Sequence, residues 1–218
     1  MNSIMVRPLQ ALAMTVLASL FAPCGIAHAQ DGNPSTDGVY VVSPSHPVWL
    51  VEQPYADSPA LTASTFGDSA YGDYHAKAGL VISCSPQNPM AVLSLHITPQ
   101  SLGIDIEPFH GKGATANGPL RITTGTRTAV DHSVNGIWTD VGVFQVGTIF
   151  RLSASLPRDE LADWASDAAR GEALKLSLAP AKEGGKPLTA TFSLPGNNAG
   201  LKKAVQPCLD ARQDHSNT

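Results

Sequence analysis

The sequence is poor in charged residues and in cysteine, and each shortage narrows the class of protein. Of 218 residues only 15% are charged and three are cysteine, and the formal net charge is −4. Nucleic acids and anionic membrane surfaces are bound through clustered positive charge. Because Lys202-Lys203 is the only adjacent basic pair, we expect no nucleic-acid partner and no binding to a charged membrane surface.

The sequence also lacks the short motifs that identify common catalytic and cofactor sites. It contains no His-Glu-x-x-His, no Gly-x-Ser-x-Gly, no Ser-x-x-Lys and no complete phosphate-binding loop. His110-Gly111-Lys112-Gly113 is only a fragment of such a loop, because no Ser or Thr follows Lys112. The histidines are dispersed along the chain, so we expect no catalytic residue set, no metal site and no cofactor.

The N-terminal residues have the pattern of an export signal. Arg7 precedes an apolar segment at 9–22, and Ala27-His28-Ala29 has the small-x-small form of a cleavage site. We predict a signal peptide over residues 1–29, cleavage after Ala29, and a mature periplasmic chain that is not inserted in the membrane.

Two alternatives to that prediction concern the same segment. A retained membrane anchor would need ~20 apolar residues to span a bilayer, and the apolar segment is shorter than this. A lipid-modified N terminus at Cys24 would need a small residue before the cysteine, where the sequence has Pro23.

Removal of the signal leaves two cysteines, Cys84 and Cys208. Disulfides persist in oxidising compartments, so we predict one structural disulfide between them; two free buried thiols are the alternative. A redox role would require the close spacing of Cys-x-x-Cys, which the sequence lacks.

Frequent glycine (19) and proline (17) separate short runs of β-branched and aromatic residues, as is typical of a β-rich protein. The chain after the signal has about 190 residues, within the size range of one domain. Strands are predicted at 39–42, 48–51, 80–84, 90–97, 120–124, 143–146, 149–156, 174–178 and 188–194. Residues 126–130 are predicted as the hairpin partner of 120–124.

Two helices complete the predicted fold. One runs from Pro157 to a stop at Gly171, with an apolar stripe of Leu161, Trp164, Ala165 and Ala168. The other is capped by Asn198 and ends by Gln206, because Pro207 disrupts a helix interior; its apolar face carries Leu201, Val205 and Cys208. The prediction is a mainly β, antiparallel β-sandwich-like single domain over 30–209, with one mid-chain helix and a short C-terminal helix tied back by the disulfide. Residues 210–218 are a polar tail.

Two long segments, 55–75 and 98–117, are predicted to be irregular, and long irregular segments are functional or mobile. Phe66-Gly67-Asp68 and Tyr71-Gly72-Asp73 are interpreted as turns, and Asp105 with Glu107 as a solvated strand face. His96 is out of phase with the apolar residues of its strand and is predicted to face solvent. The candidate binding residues are Phe66, Asp68, Tyr71, Asp73, Tyr74, His110 and Lys112.

A family resemblance depends on residues spread over most of this chain. Trp49 and Ala56-Asp57-Ser58 precede a strand ending in Cys84, and a Phe-x-Leu-x-Gly sequence at 192–196 precedes a short helix ending in Cys208. This order resembles the TagO and VasI periplasmic accessory proteins of the type VI secretion system. Invasion-associated locus B-like proteins share the closing Phe-x-Leu-x-Gly and Cys pattern.

The resemblance implies a non-enzymatic periplasmic protein that contacts other envelope proteins, with Trp49 and Asp57 as structural signature positions. The chain departs from the TagO and VasI pattern at two places. Asp57-Ser58 stands where that family tends to have Asp-Asp-Ser, and Ser83 stands where it tends to have Arg.

Three functional hypotheses follow. The first is a periplasmic protein-binding module whose 55–75 and 98–117 segments engage a partner such as a secretion component. The second is an inhibitor or immunity protein that inserts the loop at 110–118 into a toxin or hydrolase. The third is a hydrolase with a cryptic site, for which Asp73, His75 and His110 are the candidates.

Overall fold

The strands belong to one continuous antiparallel sheet. The computed structural model describes residues 28–30, 47–53, 57–111, 119–140 and 148–210. Within these residues the sheet is 11-stranded. The strands are β1 (His28–Gln30), β2 (Trp49–Glu52), β3 (Leu61–Tyr71), β4 (Tyr74–Ser85), β5 (Asn88–Ile97), β6 (Leu120–Thr124), β7 (Val130–His132), β8 (Val134–Thr139), β9 (Ile149–Leu156), β10 (Ala173–Leu178) and β11 (Leu188–Ser193).

The sheet curves until its two edges nearly meet. Nine strands follow the order β7-β6-β10-β11-β3-β4-β5-β9-β8, and β2 pairs with β3 beside that path. The edge strands β7 and β8 are joined through Ser133 alone, so the two edges must lie within a few ångströms of each other there. The predicted mainly β, antiparallel fold is confirmed. In place of two stacked sheets, the described residues form one nearly closed, barrel-like sheet.

The predicted strands at 48–51, 80–84, 90–97, 120–124, 149–156, 174–178 and 188–194 each overlap a strand of the structure. Those at 39–42 and 143–146 lie outside the described residues. The partner of β6 is β7, because residues 125–129 form the turn rather than the second strand. β1 spans the predicted cleavage site, and cleavage after Ala29 would leave only Gln30 of it in the mature chain.

The prediction that residues 55–75 are irregular is wrong, because β3 and the start of β4 occupy most of them. Phe66-Gly67-Asp68 is therefore part of a strand, whereas Gly72 and Asp73 do form a turn. Packing requires glycine at position 67 of β3: a Cβ there would lie 2.2 Å from the Thr191 carbonyl oxygen and 2.6 Å from the Phe192 ring. The large side chain at this contact, Phe192, belongs to the neighbouring strand β11. The β-propensity of the residues of β3 alone therefore did not identify this strand.

The described helices are α1 (Pro99–Leu102), α2 (Arg158–Trp164) and α3 (Ala199–Asp210), with 3-10 turns at Glu107–Phe109 and Asp167–Ala169. None of them is both long and apolar enough to cross a membrane. Asp105 and Glu107 are exposed, but not on a strand: the Glu107 N–H donates to Asp105 Oδ1 at 3.1 Å, a local bond that competes with strand pairing.

The mid-chain helix is shorter than predicted, ending at Trp164 well before Gly171. After α2 the chain changes to a 3-10 turn, so Ala169 is buried and the predicted stripe member Ala168 is exposed. Asn198 precedes α3 as predicted, but its side-chain amide donates to the carbonyl of Ala165 at 2.9 Å. That bond joins the start of α3 to the end of α2.

The Cys84–Cys208 disulfide is confirmed, with Cα atoms 5.7 Å apart across a sequence separation of 124. Leu201, Val205 and Cys208 form the buried face of α3, which packs against β2 to β5. The prediction that α3 ends by Gln206 is wrong, because Pro207 lies inside a helix that continues to Asp210. The disulfide holds the last turn of α3 on the sheet and offsets the hydrogen bond that Pro207 cannot donate. The rest of the predicted tail, 211–218, lies outside the described residues.

The prediction that His96 faces solvent is wrong, because His96 is 6% exposed. It does lie on the face of β5 opposite Leu93 and Leu95. Its partners in neighbouring strands are Gly79 and Arg151. Burial, and secondarily the charge of Arg151, lower the pKa of His96 to about 4.

Candidate functional sites

Three connections meet at one end of the sheet, which we call the loop end. They are the β3–β4 turn at 72–73, the segment 98–111 that follows β5, and the β10–β11 connection at 179–187. A small cavity of about 130 Å³ lies between them, lined by Tyr71, Asp105, Pro108, Phe109, Pro180, Ala181, Lys182, Gly185 and Lys186. The sheet therefore brings together parts of both segments that the sequence analysis selected.

Four of the predicted binding residues, Tyr71, Asp73, Tyr74 and His110, lie at the loop end. Tyr71 is half-buried and lines the small cavity. Asp73 is exposed and its carboxylate lies 3.4 Å from the ammonium nitrogen of Lys186. Tyr74 is 62% exposed, and its ring lies beside Gly103 of the 98–111 segment.

The segment 98–111 covers this end of the sheet through a close backbone approach. A Cβ at Gly136 would lie 2.2 Å from the Phe109 carbonyl oxygen, so only glycine lets the segment come this near to β8. The Gly111 N–H donates to the Gly136 carbonyl at 2.6 Å. His110 follows the buried Phe109 and is exposed, so it belongs to the same surface.

Trp138 is a surface residue that the sequence analysis missed. It is 38% exposed and packs edge-to-face on Phe150, with ring centroids 5.4 Å apart. It lies two residues beyond Gly136 on the same face of β8, at the loop end. Strand β8 was not predicted, because Asn135 and Gly136 interrupt its hydrophobic pattern.

Phe66 and Asp68 do not join this surface. Phe66 is half-buried on β3, and Asp68 is exposed and paired with Lys77 at 2.6 Å. Lys112 lies outside the described residues, as does most of the loop at 110–118 that the inhibitor hypothesis requires. Of the two signature positions, Trp49 is buried in the core and Asp57 is exposed.

A second cavity, which we call the seam cleft, lies between α2 and the β6–β7 hairpin, near the seam where the two edges of the sheet approach each other. Its volume is about 380 Å³, and it is lined by Ile122, Thr124, Arg127, Thr128, Val130, Pro157, Asp159, Glu160, Asp163 and Trp164. Its lining comes from the β6–β7 hairpin and from α2, at the end of the sheet opposite the loop end. The Trp164 indole N–H donates to Thr124 Oγ1 at 3.0 Å and ties α2 to β6.

A buried ion pair crosses the seam beside this cleft. His132 Nε2 of β7 lies 3.0 Å from Glu160 Oε2 of α2, and the two side chains are 6% and 13% exposed. The pKa of Glu160 is raised, and burial is the largest cause of the increase. The nearby charge of His132 lowers this pKa, whereas the charge of Asp159 raises it further. The sequence analysis did not select this pair, because His132 and Glu160 lie far apart in the sequence.

No group of three or more His, Cys, Asp or Glu side chains is positioned to hold a metal ion within the part of the chain that the structure describes. Asp73, His75 and His110, the candidates for a hydrolase, are all exposed.

The chain matches no protein-family model, no curated protein and no solved structure. The resemblance to the secretion-associated accessory proteins therefore stays a prediction. The disulfide is consistent with an oxidising, extracytoplasmic compartment.

Proposed function

We propose that this chain is an exported, non-enzymatic protein-binding module, an accessory of envelope or secretion machinery, and that it binds its protein partner through the loop end. The observation that carries the proposal is the convergence there of three connections with two exposed aromatic side chains, Tyr74 and Trp138. Tyrosine and tryptophan dominate the residues that contribute most to protein–protein affinity.

The size of the loop-end cavity favours a protein over a small ligand. Small-molecule pockets usually enclose about 300–1,000 Å³, whereas this cavity has about 130 Å³. Charges of both signs surround it, including Asp73, Asp105 and Lys182. A polar rim around aromatic anchors is the usual composition of a protein interface.

Substitution of Tyr74 by alanine is expected to weaken partner binding at least about tenfold, because an exposed aromatic anchor is lost. The partner is first captured from an envelope extract with the wild-type chain and identified. Its dissociation constant is then measured by biolayer interferometry for the wild-type chain and for Tyr74→Ala.

Met90→Ala is the matched control, because Met90 is 37% exposed near the β4–β5 turn, away from the loop end. We expect it to keep wild-type affinity. Equal affinity of Tyr74→Ala and the wild-type chain, or equal losses in both variants, would remove the loop end as the binding surface.

A further inference from the structure

The loop-end cavity has the size of one apolar side chain. Its volume is about 130 Å³, and an engineered protein cavity of about 150 Å³ binds benzene. Phe109 forms a buried wall, and Tyr71 and Ala181 pack against the core beside it. Half-buried Pro108 and Pro180 complete the apolar lining. The cavity therefore accepts a single side chain of about the size of leucine.

Two ammonium groups belong to the same lining, those of Lys182 and Lys186. Lys186 packs over the β3–β4 turn, because its Cδ lies 2.5 Å from the place that a Cβ at Gly72 would take. Its ammonium nitrogen is 3.4 Å from the Asp73 carboxylate, a pair that solvent weakens because the Asp73 side chain is 97% exposed. Lys182 makes no ion pair with any residue that the structure describes. A carboxylate that enters beside an apolar side chain would therefore meet available positive charge.

One carboxylate, that of Asp105, also lines the cavity. Its Oδ1 accepts a hydrogen bond from the Glu107 N–H at 3.1 Å, and its Oδ2 has no hydrogen-bond donor among the described residues. A carboxylate oxygen without a donor can accept an N–H from a bound chain. The lining thus offers an apolar wall, two cations and one acceptor within the space of one residue.

The last residue of a polypeptide carries the three complementary groups on one Cα: a side chain, the α-carboxylate and a backbone N–H. An internal segment would have to supply the carboxylate from a second side chain. Successive side chains of an extended segment point to opposite sides, whereas the cavity holds only one. The size and the charge of the lining together favour a chain terminus.

We propose that the loop-end cavity captures the C-terminal residue of the partner protein, an apolar residue of about the size of leucine. The side chain fills the cavity, the α-carboxylate pairs with Lys182 and Lys186, and the terminal N–H donates to Asp105. Capture of a terminal carboxylate is a recurring mode of peptide recognition. This inference rests on the proposed protein-binding function of the loop end and names the part of the partner that enters it.

The test uses the peptide acetyl-Gly-Gly-Leu with a free C terminus as the probe and the full exported chain. Titration followed by two-dimensional nuclear magnetic resonance gives the dissociation constant and locates the binding. We expect saturable shifts of the Phe109 and Ala181 backbone amide signals. The C-terminally amidated peptide should bind about tenfold more weakly or not at all, because it lacks the charged hydrogen bonds. Acetyl-Gly-Gly-Ala should also lose at least about tenfold, because its side chain leaves most of the cavity empty.

Two variants assign the binding to the cavity. Lys182→Gln removes an exposed ammonium group, and Ala181→Leu places a larger side chain in the cavity wall; each should weaken binding of the leucine peptide about tenfold. Lys203→Gln, which removes an exposed lysine of α3, should leave it unchanged. Absence of saturable shifts, equal binding of the amidated peptide, or wild-type affinity in both cavity variants would overturn the proposal.

A captured partner separates this inference from the function on which it rests. Two glycines added to the C terminus of the partner should weaken its binding at least about tenfold. If this extension has no effect while Tyr74→Ala still weakens binding, terminal capture is wrong and the loop end remains the binding surface. If neither change affects the dissociation constant, both proposals fail.

Discussion

Replacing Cys84 and Cys208 together with alanine is expected to lower the free energy of unfolding by about 4 kcal/mol. The bond joins residues separated by 124 positions, so its loss restores a large loop-closure entropy to the unfolded chain. It also releases α3, whose last turn contains Pro207. Urea denaturation followed by far-ultraviolet circular dichroism measures the change.

The reduced wild-type chain provides the control for this prediction. A reducing agent should lower the stability of the wild-type chain by a similar amount and leave the double variant unaffected. If the double variant unfolds at the same urea concentration as the oxidised wild-type chain, the disulfide does not stabilise the fold.

The second large effect is acid destabilisation through His96. Its pKa is lowered to about 4 in the folded chain, below the ordinary value of about 6.5. Between these values the unfolded chain binds a proton that the folded chain does not, so stability present above pH 6.5 is lost as the pH falls toward 4. The full difference corresponds to about 3 kcal/mol.

The variant His96→Gln isolates this contribution from that of the carboxylates. Unfolding free energies of the variant and the wild-type chain are measured at several pH values between 7.5 and 4. Their difference should change in favour of the variant by up to about 3 kcal/mol as the pH falls. His75→Gln, which removes an exposed histidine, should keep the wild-type pH dependence. Parallel pH profiles for the wild-type chain and His96→Gln would contradict the prediction.

Local sequence patterns were sufficient for the elements whose residues alternate strictly. In β10, Leu174, Leu176 and Leu178 are buried as their period of two predicts, and β11 behaves in the same way. The disulfide could be predicted equally well, because an exported chain with two remaining cysteines offers one intramolecular pairing. In these places local pattern and tertiary packing agree.

Prediction failed where a distant residue decides the local structure. Strand β3 needs glycine at position 67, because a larger residue there would meet the Thr191 carbonyl oxygen and the Phe192 ring of the neighbouring strand. His96 alternates correctly with its apolar neighbours, yet both faces of β5 are buried at that position. The His132–Glu160 pair of the seam exists only because the sheet nearly closes, and no local pattern signals closure.

The same limit applies to the loop end. The sequence analysis selected Tyr71, Asp73, Tyr74 and His110 from two separate segments, and the structure places these residues at one end of the sheet. It could not select Trp138 or the β10–β11 connection, which reach the same surface through strand order. The composition of a surface can be predicted from sequence only in part, since its assembly depends on topology.

Photo-crosslinking inside the producing cell tests the central claim most directly. A benzophenone amino acid is placed at Tyr74 in one variant and at Met90 in another, both positions being exposed. We predict that the Tyr74 position forms a covalent adduct with a defined envelope protein, and that the Met90 position does not. The same adduct from both positions, or no adduct from the Tyr74 position, would contradict the claim that the partner binds at the loop end.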